Sequence, residues 1–179
     1  KEEVVATLFK EVIDFTLNST AAAGEAKVKA TVSSETVLVP VKDFIKYEDG
    51  LFYNDEMSVE NIKVLNPDKK EVTIQKLCGD YSSENIFHSD AKLCVVKFPL
   101  AEKGKPFNYT FRENYHDVKY LTSFYFLQHY PVIDRIVQFN IPSWLEIDLR
   151  EFNFEGYNIQ KSSVKEGDIT KIIFKITNV

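Results

Sequence analysis

The stretch that decides the fold lies at residues 132–150 and reads VIDRIVQFNIPSWLEIDLR. Apolar and polar residues alternate along it, first around Val137 and again around Ile147. Successive side chains of a β-strand point to opposite faces of its sheet, so each alternating run predicts a strand with one buried face. The same period of two recurs at 107–111 and 171–177. The sequence therefore predicts an all-β protein.

Turn signals separate the alternating runs at fairly regular spacing. They are clusters of Gly, Pro, Asn and Asp, which supply positive φ, preset φ or hydrogen-bond their own backbone. Examples are Asp49-Gly50, Asn66-Pro67-Asp68 and Glu166-Gly167-Asp168. The strands expected between the turns lie near residues 4–17, 26–33, 36–45, 57–65, 71–77, 92–98, 106–113, 119–129, 132–141, 144–150, 157–163 and 169–178. About a dozen strands at this spacing predict a two-sheet antiparallel β-sandwich with little helix, occupying residues 1–179 as a single domain.

One short helix is the alternative near residues 40–48. Val41, Phe44 and Ile45 have the i, i+3, i+4 spacing of an apolar helix face. The β-branched residues that precede them favour a strand instead. The expected strand near 169–178 is apolar on one face, so it needs a sheet to cover it, and we expect it to lead directly into a further domain.

Composition excludes several classes of partner. The formal net charge is −5. A nucleic-acid-binding protein needs a basic patch, whereas the Lys and Arg residues here are scattered among acids. The same argument disfavours binding to a membrane surface, and no apolar stretch approaches the roughly 20 residues that span a bilayer. No signal peptide is visible, but the chain starts at Lys1 rather than Met, so this says nothing about export.

The two cysteines, Cys78 and Cys94, are candidates for a disulfide. They lack the C-x-x-C spacing of a zinc or redox site, so they fit one optional bridge or two small core residues. A hairpin around the polar stretch 79–91 would bring its flanking strands together, and a bridge needs Cα atoms within about 7 Å. We therefore expect the cysteines on neighbouring strands. A metal or thiol site that adds His88 is the less favoured interpretation.

Signatures of catalysis are weak. No Ser stands in a G-x-S-x-G motif, so a hydrolase triad has no identifiable nucleophile. His116 and His129 lie at an expected strand end and before a proline-led turn. A glycosidase needs two carboxylates across a cleft, but the pairs available look the same as solvated strand faces. Those pairs are Glu146 with Asp148 and Asp43 with Glu48. We therefore predict no catalytic, cofactor-binding or metal-binding residue.

Trp144 is the only Trp of the chain. It follows Ile141-Pro142-Ser143 and falls on the face opposite Leu145. Packing within the fold is the preferred role for its ring. The alternative is contact with a ligand or an adjacent domain.

The order of several segments resembles one known family. These segments are IKVLNPDKKEV at 62–72, VVKFPLAEKG at 95–104, FNYTF at 107–111, and the run from Phe126 to Pro131 that leads into VQFNIP at 137–142. They resemble the β-rich domain of unknown function at the N-terminus of exported bacterial proteins that carry a transglutaminase-like domain downstream. The resemblance covers roughly residues 55–150. Lys69 replaces the usual Gly after Pro67-Asp68, which affects the type of that turn.

This resemblance implies a two-sheet sandwich exported to the periplasm or cell envelope, with no activity and no cofactor of its own. The partner it implies is the downstream transglutaminase-like domain of the same polypeptide. That domain would carry a Cys-His-Asp triad on a papain-like fold, and nothing in these 179 residues supplies its helix-borne cysteine. No catalytic residue is therefore carried over.

Three functions from different classes follow. The first is a non-catalytic binding or scaffolding module of a larger envelope protein, with a protein or glycan as ligand. The second is a carbohydrate-binding module, suggested by the sandwich pattern and the abundant Tyr. The third is a cysteine hydrolase, for which Cys78 and the three His residues are the only support. The first is preferred because catalytic signatures are missing.

Overall fold

The computed structural model describes residues 3–25, 27–81 and 90–179. These residues form ten strands and one 3₁₀ turn, Val118–Tyr120. The strands are β1 Val4–Leu17, β2 Val28–Pro40, β3 Ile45–Tyr53, β4 Met57–Leu65, β5 Gln75–Asp80, β6 Lys92–Leu100, β7 Phe107–Tyr115, β8 Val132–Pro142, β9 Gln160–Glu166 and β10 Ile169–Thr177. No helix in this described part is long and apolar enough to cross a bilayer.

The strands make two sheets. The larger has seven strands in the order β4-β7-β2-β1-β8-β10-β9, and the smaller has three in the order β3-β6-β5. The predicted all-β sandwich with little helix is therefore confirmed. Its antiparallel pairing has one exception, because β1 and β8 at the centre of the large sheet run parallel. A parallel pair needs a long crossover, and here the chain passes through the whole smaller sheet between them.

Two apolar clusters lie on the inner face of the large sheet. The first is packed between the sheets and includes Phe9, Leu38, Tyr109 and, from the small sheet, Phe98. The second lies further along the same face, around Phe139. The small sheet does not contribute to this second cluster, which is covered instead by residues 118–126 and 145–159. The three-stranded sheet therefore covers only half of the seven-stranded one.

One sequence prediction near residues 26–48 was wrong, and the disfavoured alternative there is not observed. The strands expected at 26–33 and 36–45 are one strand, β2, because the polar residues in its middle face the interior instead of forming a turn. The helix considered near 40–48 is absent from the described residues, where a turn is followed by β3. Phe44 has φ of 57°, a left-handed conformation that a helix does not continue through. Tyr47 is buried while Glu48 is exposed, which is the period of a strand.

The strands expected at 119–129 and 144–150 are not formed. Apart from the 3₁₀ turn, both segments lack regular secondary structure, although both cover the second cluster. Burial still alternates along the second one, since Leu145, Ile147 and Leu149 are half-buried and the residues between them are exposed. The alternation therefore predicted correctly which side chains face inward. It did not predict whether the backbone has a strand beside it.

Removing the buried ring of β10 should destabilise the protein strongly. Phe174 is buried in the second cluster, and β10 is hydrogen-bonded to both β8 and β9. We expect Phe174→Ala to lower the free energy of unfolding by about 3–5 kcal/mol, measured by urea denaturation. The control is Val164→Ala on the edge strand β9, whose side chain is half-exposed and whose loss should have little effect.

Deletion of 169–179 removes all of β10 and is the stronger form of the same test. The shortened chain should melt at a lower temperature than the full one, or fail to fold. Equal melting temperatures would show that β10 is a dispensable tail.

Candidate functional site

The structure joins Cys78 and Cys94 in a disulfide. They are directly opposite each other on β5 and β6, with Cα atoms 3.9 Å apart. Cys94 is buried in the first cluster, whereas Cys78 is exposed. A sulfur held in a disulfide is not a thiolate, so this pairing leaves neither cysteine as a nucleophile. His88, the third member of the sequence-based site, and most of the loop 79–91 lie outside the described residues.

The other two histidines have local roles. The backbone N–H of His116 donates to the carbonyl of Glu56 at 2.9 Å. The ring of His129 packs edge-on against Tyr130, with ring centroids 4.7 Å apart. Within residues 3–25, 27–81 and 90–179, no cluster of three or more His, Cys, Asp or Glu side chains is placed to hold a metal ion.

Three of the four candidate carboxylates have partners of their own. Asp148 accepts a hydrogen bond from Arg150 at 2.9 Å, whereas Glu146 is exposed. Asp43 accepts from the backbone N–H of Lys103 at 2.8 Å, and Glu48 forms an ion pair with Lys97. Asp43 stabilises a turn.

A large apolar cavity lies over the second cluster, and we call it the aromatic cavity. Its volume is about 870 Å³. Its floor is the inner face of the large sheet, formed by Phe15, Val137, Phe139, Phe174 and Ile176. Its two walls come from residues 118–127 and from residues 145–154 with Tyr157 and Ile159, which overlap the segments that were expected to be strands at 119–129 and 144–150. Volumes of 300–1,000 Å³ with mostly apolar lining are typical of ligand sites.

Aromatic contacts hold the cavity walls to its floor. The ring of Phe126, in the first wall, lies edge-on to Phe154 of the second wall at 5.6 Å and to Phe174 of the floor at 6.4 Å. Phe124 contacts Phe139 in the same way at 5.4 Å. Edge-to-face pairs at such distances are favourable geometries for aromatic rings.

The rim of the aromatic cavity is apolar and exposed. Tyr125 is 72% exposed and Phe152 is 73% exposed, and Leu127 and Tyr157 are about half-exposed. A contiguous patch of exposed apolar side chains is typical of an interaction site, and this one continues into a cavity. Trp144 is 44% exposed and does not line the cavity, although the next residue, Leu145, does.

A belt of polar side chains crosses the inner face between the two apolar clusters. We call Glu11, Ser34, Glu113 and Arg135 the polar belt. On each of β1, β2, β7 and β8, the residue of the belt lies between a residue of the first cluster and one that belongs to or packs on the second. The belt therefore divides the half of the sheet covered by the small sheet from the half covered by the aromatic cavity.

Arg135 connects the polar belt to a wall of the aromatic cavity. It is 1% exposed and pairs with the carboxylate of Glu11. Its Nε and Nη2 atoms donate to the carbonyl of Tyr125 at 3.1 and 2.9 Å. Its guanidinium also stacks over Phe9, with 4.0 Å between the Cζ atom and the ring centroid. The buried cation thereby fixes the backbone of the first cavity wall.

Glu113 is the polar-belt residue with a strongly shifted pKa. Burial, and then the nearby Glu11 carboxylate, raise the pKa of Glu113 to about 7. The hydroxyl of Tyr115 donates to it at 3.3 Å, which opposes the shift. Raised carboxyl pKa values also occur at active sites. Neither Glu113 nor Glu11 lines the aromatic cavity, so a substrate in that cavity would not reach them.

The pKa of Glu113 predicts how stability changes with pH. The unfolded chain has the ordinary value near 4.5 and the folded chain about 7, so between these pH values the folded chain binds more protons. Its stability should therefore fall as pH rises through that window. In Glu113→Gln this fall should be smaller, and the variant should be more stable than the parent at pH 8 by about 1–3 kcal/mol.

The measurement is urea denaturation from pH 4.5 to 8, with Glu146→Gln as the exposed control. Equal pH slopes for Glu113→Gln and the parent would contradict the assignment.

Comparison with known proteins identifies the fold but not the function. No protein-family model matches this chain, and no curated protein matches its sequence. Among solved structures, the chain is similar to a proposed protease from Parabacteroides distasonis, with a TM-score of 0.60 and 12% sequence identity. The match covers 99% of this chain and 36% of that protein, so the chain spans about a third of its length. At this identity the likeness shows a shared fold alone.

Proposed function

We propose that this chain is a non-catalytic binding and scaffolding module of a longer protein of the bacterial cell envelope, and that the aromatic cavity is its binding site. The observation that carries the proposal is the cavity itself, with its apolar floor and exposed aromatic rim. Among the described residues, the cavity lining contains no Cys or His. The site is therefore suited to hold an apolar group, and it offers no His or Cys among the described residues for a Cys–His nucleophile pair.

We infer that the longer protein carries a transglutaminase-like domain after this module. The similar structure from Parabacteroides distasonis supports a modular arrangement, since the matching fold is 36% of a chain that is described as a protease. Export to the envelope and the identity of the downstream domain rest on the sequence resemblance. Reading the coding sequence on both sides tests them: a signal peptide upstream and a papain-like Cys-His-Asp domain downstream are expected, and an unrelated neighbour would contradict the domain order.

A carbohydrate-binding module is the second candidate. Sugars stack on aromatic rings, and the rim of the cavity offers Tyr125, Phe152 and Tyr157. However, sugar hydroxyls also need polar partners, and the cavity floor is entirely apolar. The floor therefore favours an apolar group of the ligand. Binding to a glycan array that is lost in Phe152→Ser would support the carbohydrate alternative instead.

The cysteine hydrolase alternative predicts a free thiol and turnover, and we expect neither. Thiol counting under denaturing, non-reducing conditions should find no free thiol, because the structure uses both cysteines in one disulfide. The intact chain should show no amidase activity on casein and no transfer of a primary amine to casein glutamine. Turnover that is lost in Cys78→Ala would contradict the proposed function. The same assays after mild reduction control for an activity hidden by the disulfide.

A further inference from the structure

Residues 145–151 have the side-chain pattern of a strand but no neighbouring strand. Leu145, Ile147 and Leu149 point toward the second cluster, and Glu146 and Asp148 are exposed. No backbone N–H or C=O of residues 146–151 has a hydrogen-bond partner within the part of the chain that the structure describes. A segment with this alternation and an unpaired backbone offers free donors and acceptors to an incoming strand.

The free backbone of this segment lies next to space that an incoming strand could fill. Residues 145–154 form one wall of the aromatic cavity, residues 121–127 form the other, and about 870 Å³ lies between them and the sheet. Alternate side chains of a β-strand point to the same face, so a strand added along 145–151 would direct every second side chain into this space. Seven extended residues span about 23 Å.

Charge at the rim indicates what the incoming strand carries. Asp148 is paired with Arg150 at 2.9 Å, and Glu151 with Lys161 at 2.5 Å. Among the described residues, Glu146 is the acid of the cavity lining that has no cationic partner. The whole chain also carries a net charge of −5. A basic partner is therefore attracted to this rim, whereas a second copy of the chain would bring a matching acidic rim.

We propose that the aromatic cavity binds an extended peptide segment of a basic partner protein, which adds as a β-strand along residues 145–151. Its alternate apolar side chains enter the cavity, and a Lys or Arg on its opposite face pairs with Glu146. This inference rests on the binding role proposed above and specifies the class of ligand. Backbone hydrogen bonds supply affinity in this mode of recognition, and the pocket for alternate side chains supplies specificity.

The test uses the synthetic peptide acetyl-Lys-Val-Lys-Val-Lys-Val-Lys-amide and the complete 179-residue chain. Trp144 is the only Trp and immediately precedes the segment, so its fluorescence reports binding. We expect a saturable change with a Kd on the order of 100 μM. Amide hydrogen exchange at alternate residues of 146–151 should become at least about tenfold slower when the peptide is bound, because a single added strand accepts hydrogen bonds from every second N–H group.

Two control peptides separate strand addition from simple attraction of charge. In one, the same residues are arranged as a Val block and a Lys block, and in the other Glu replaces every Lys. We expect both to bind at least about tenfold more weakly than the alternating peptide. Equal binding of the block peptide would overturn the proposal, because it would show that charge and composition suffice.

Matched variants of the chain locate the site. Glu146→Lys should weaken binding of the alternating peptide about fivefold, as reversal of one exposed charge allows. Phe152→Ser, on the exposed rim, should weaken it as well. Glu155→Lys makes the same change of charge at an exposed residue outside the cavity lining and should leave the affinity within about twofold of the parent. Identical effects of Glu146→Lys and Glu155→Lys would overturn the proposal.

Other occupants give different results, each of which would overturn the proposal. If sodium laurate changes the Trp144 fluorescence and the peptide does not, the cavity takes acyl chains. If sedimentation equilibrium shows a dimer that is lost in Phe152→Ser, and the peptide does not bind, the occupant is a second copy. Neither result tests the two other expectations of the proposed function, which are that the chain shows no turnover and that a transglutaminase-like domain follows it. Conversely, turnover or an unrelated downstream domain would contradict the proposed function and leave the peptide result standing.

Discussion

The guanidinium of Arg135 is buried at the centre of the inner face of the large sheet, where it pairs with Glu11 on β1 and donates two hydrogen bonds to the carbonyl of Tyr125. A buried charge is tolerated only when it is paired and hydrogen-bonded, and removal of one partner costs about 3–5 kcal/mol. This interaction therefore constrains three elements at once: the parallel pair β1 and β8, and the segment that carries Tyr125. Since that segment is a wall of the aromatic cavity, the polar belt stabilises the cavity from outside its lining.

The unequal size of the two sheets explains why a cavity exists at all. Seven strands present one continuous inner face, and three strands cover about half of it. The remainder is covered by two segments that bury apolar side chains without forming a ladder. Neighbouring strands of a second sheet would lie only about 4.8 Å apart, so their side chains would cover the first sheet closely. Two separate segments cover it less completely. The space left between the two segments is the aromatic cavity.

Much of the fold followed from the sequence. The alternation predicted β1 and β4 with their observed bounds and β8 and β10 within one residue of theirs, because each has one face that is more buried than the other. The strand β3 was missed because Asp49-Gly50 resembles a turn, whereas both residues lie inside the strand. The segments 119–129 and 144–150 were taken for strands because period two records extended backbone and one-sided burial. The side-chain pattern of these segments does not show whether their backbone is hydrogen-bonded to a neighbouring strand.

The candidate site was only partly accessible from the sequence. Arg135 and Glu113 occupy inward-facing positions of otherwise apolar alternation, and such breaks are the signal that was available for the polar belt. No short stretch of the sequence could predict the cavity, because its lining residues come from β1, β8, β10 and two irregular segments that are distant in sequence. Cys78 and Cys94 were predicted on neighbouring strands from the hairpin argument, and the structure places them directly opposite each other. Trp144 lies beside the cavity and outside its lining.

Residues 146–151 form a strand-like segment whose backbone has no hydrogen-bond partner among the residues that the structure describes. Amide hydrogen exchange of the unliganded protein, resolved residue by residue by NMR, tests this most directly. We expect exchange at 146–151 within about tenfold of the rate of an unstructured peptide, although Ile147 and Leu149 are half-buried. The amides of β8, which is paired on both sides, should exchange more slowly by orders of magnitude. Protection of 146–151 equal to that of β8 would contradict the account.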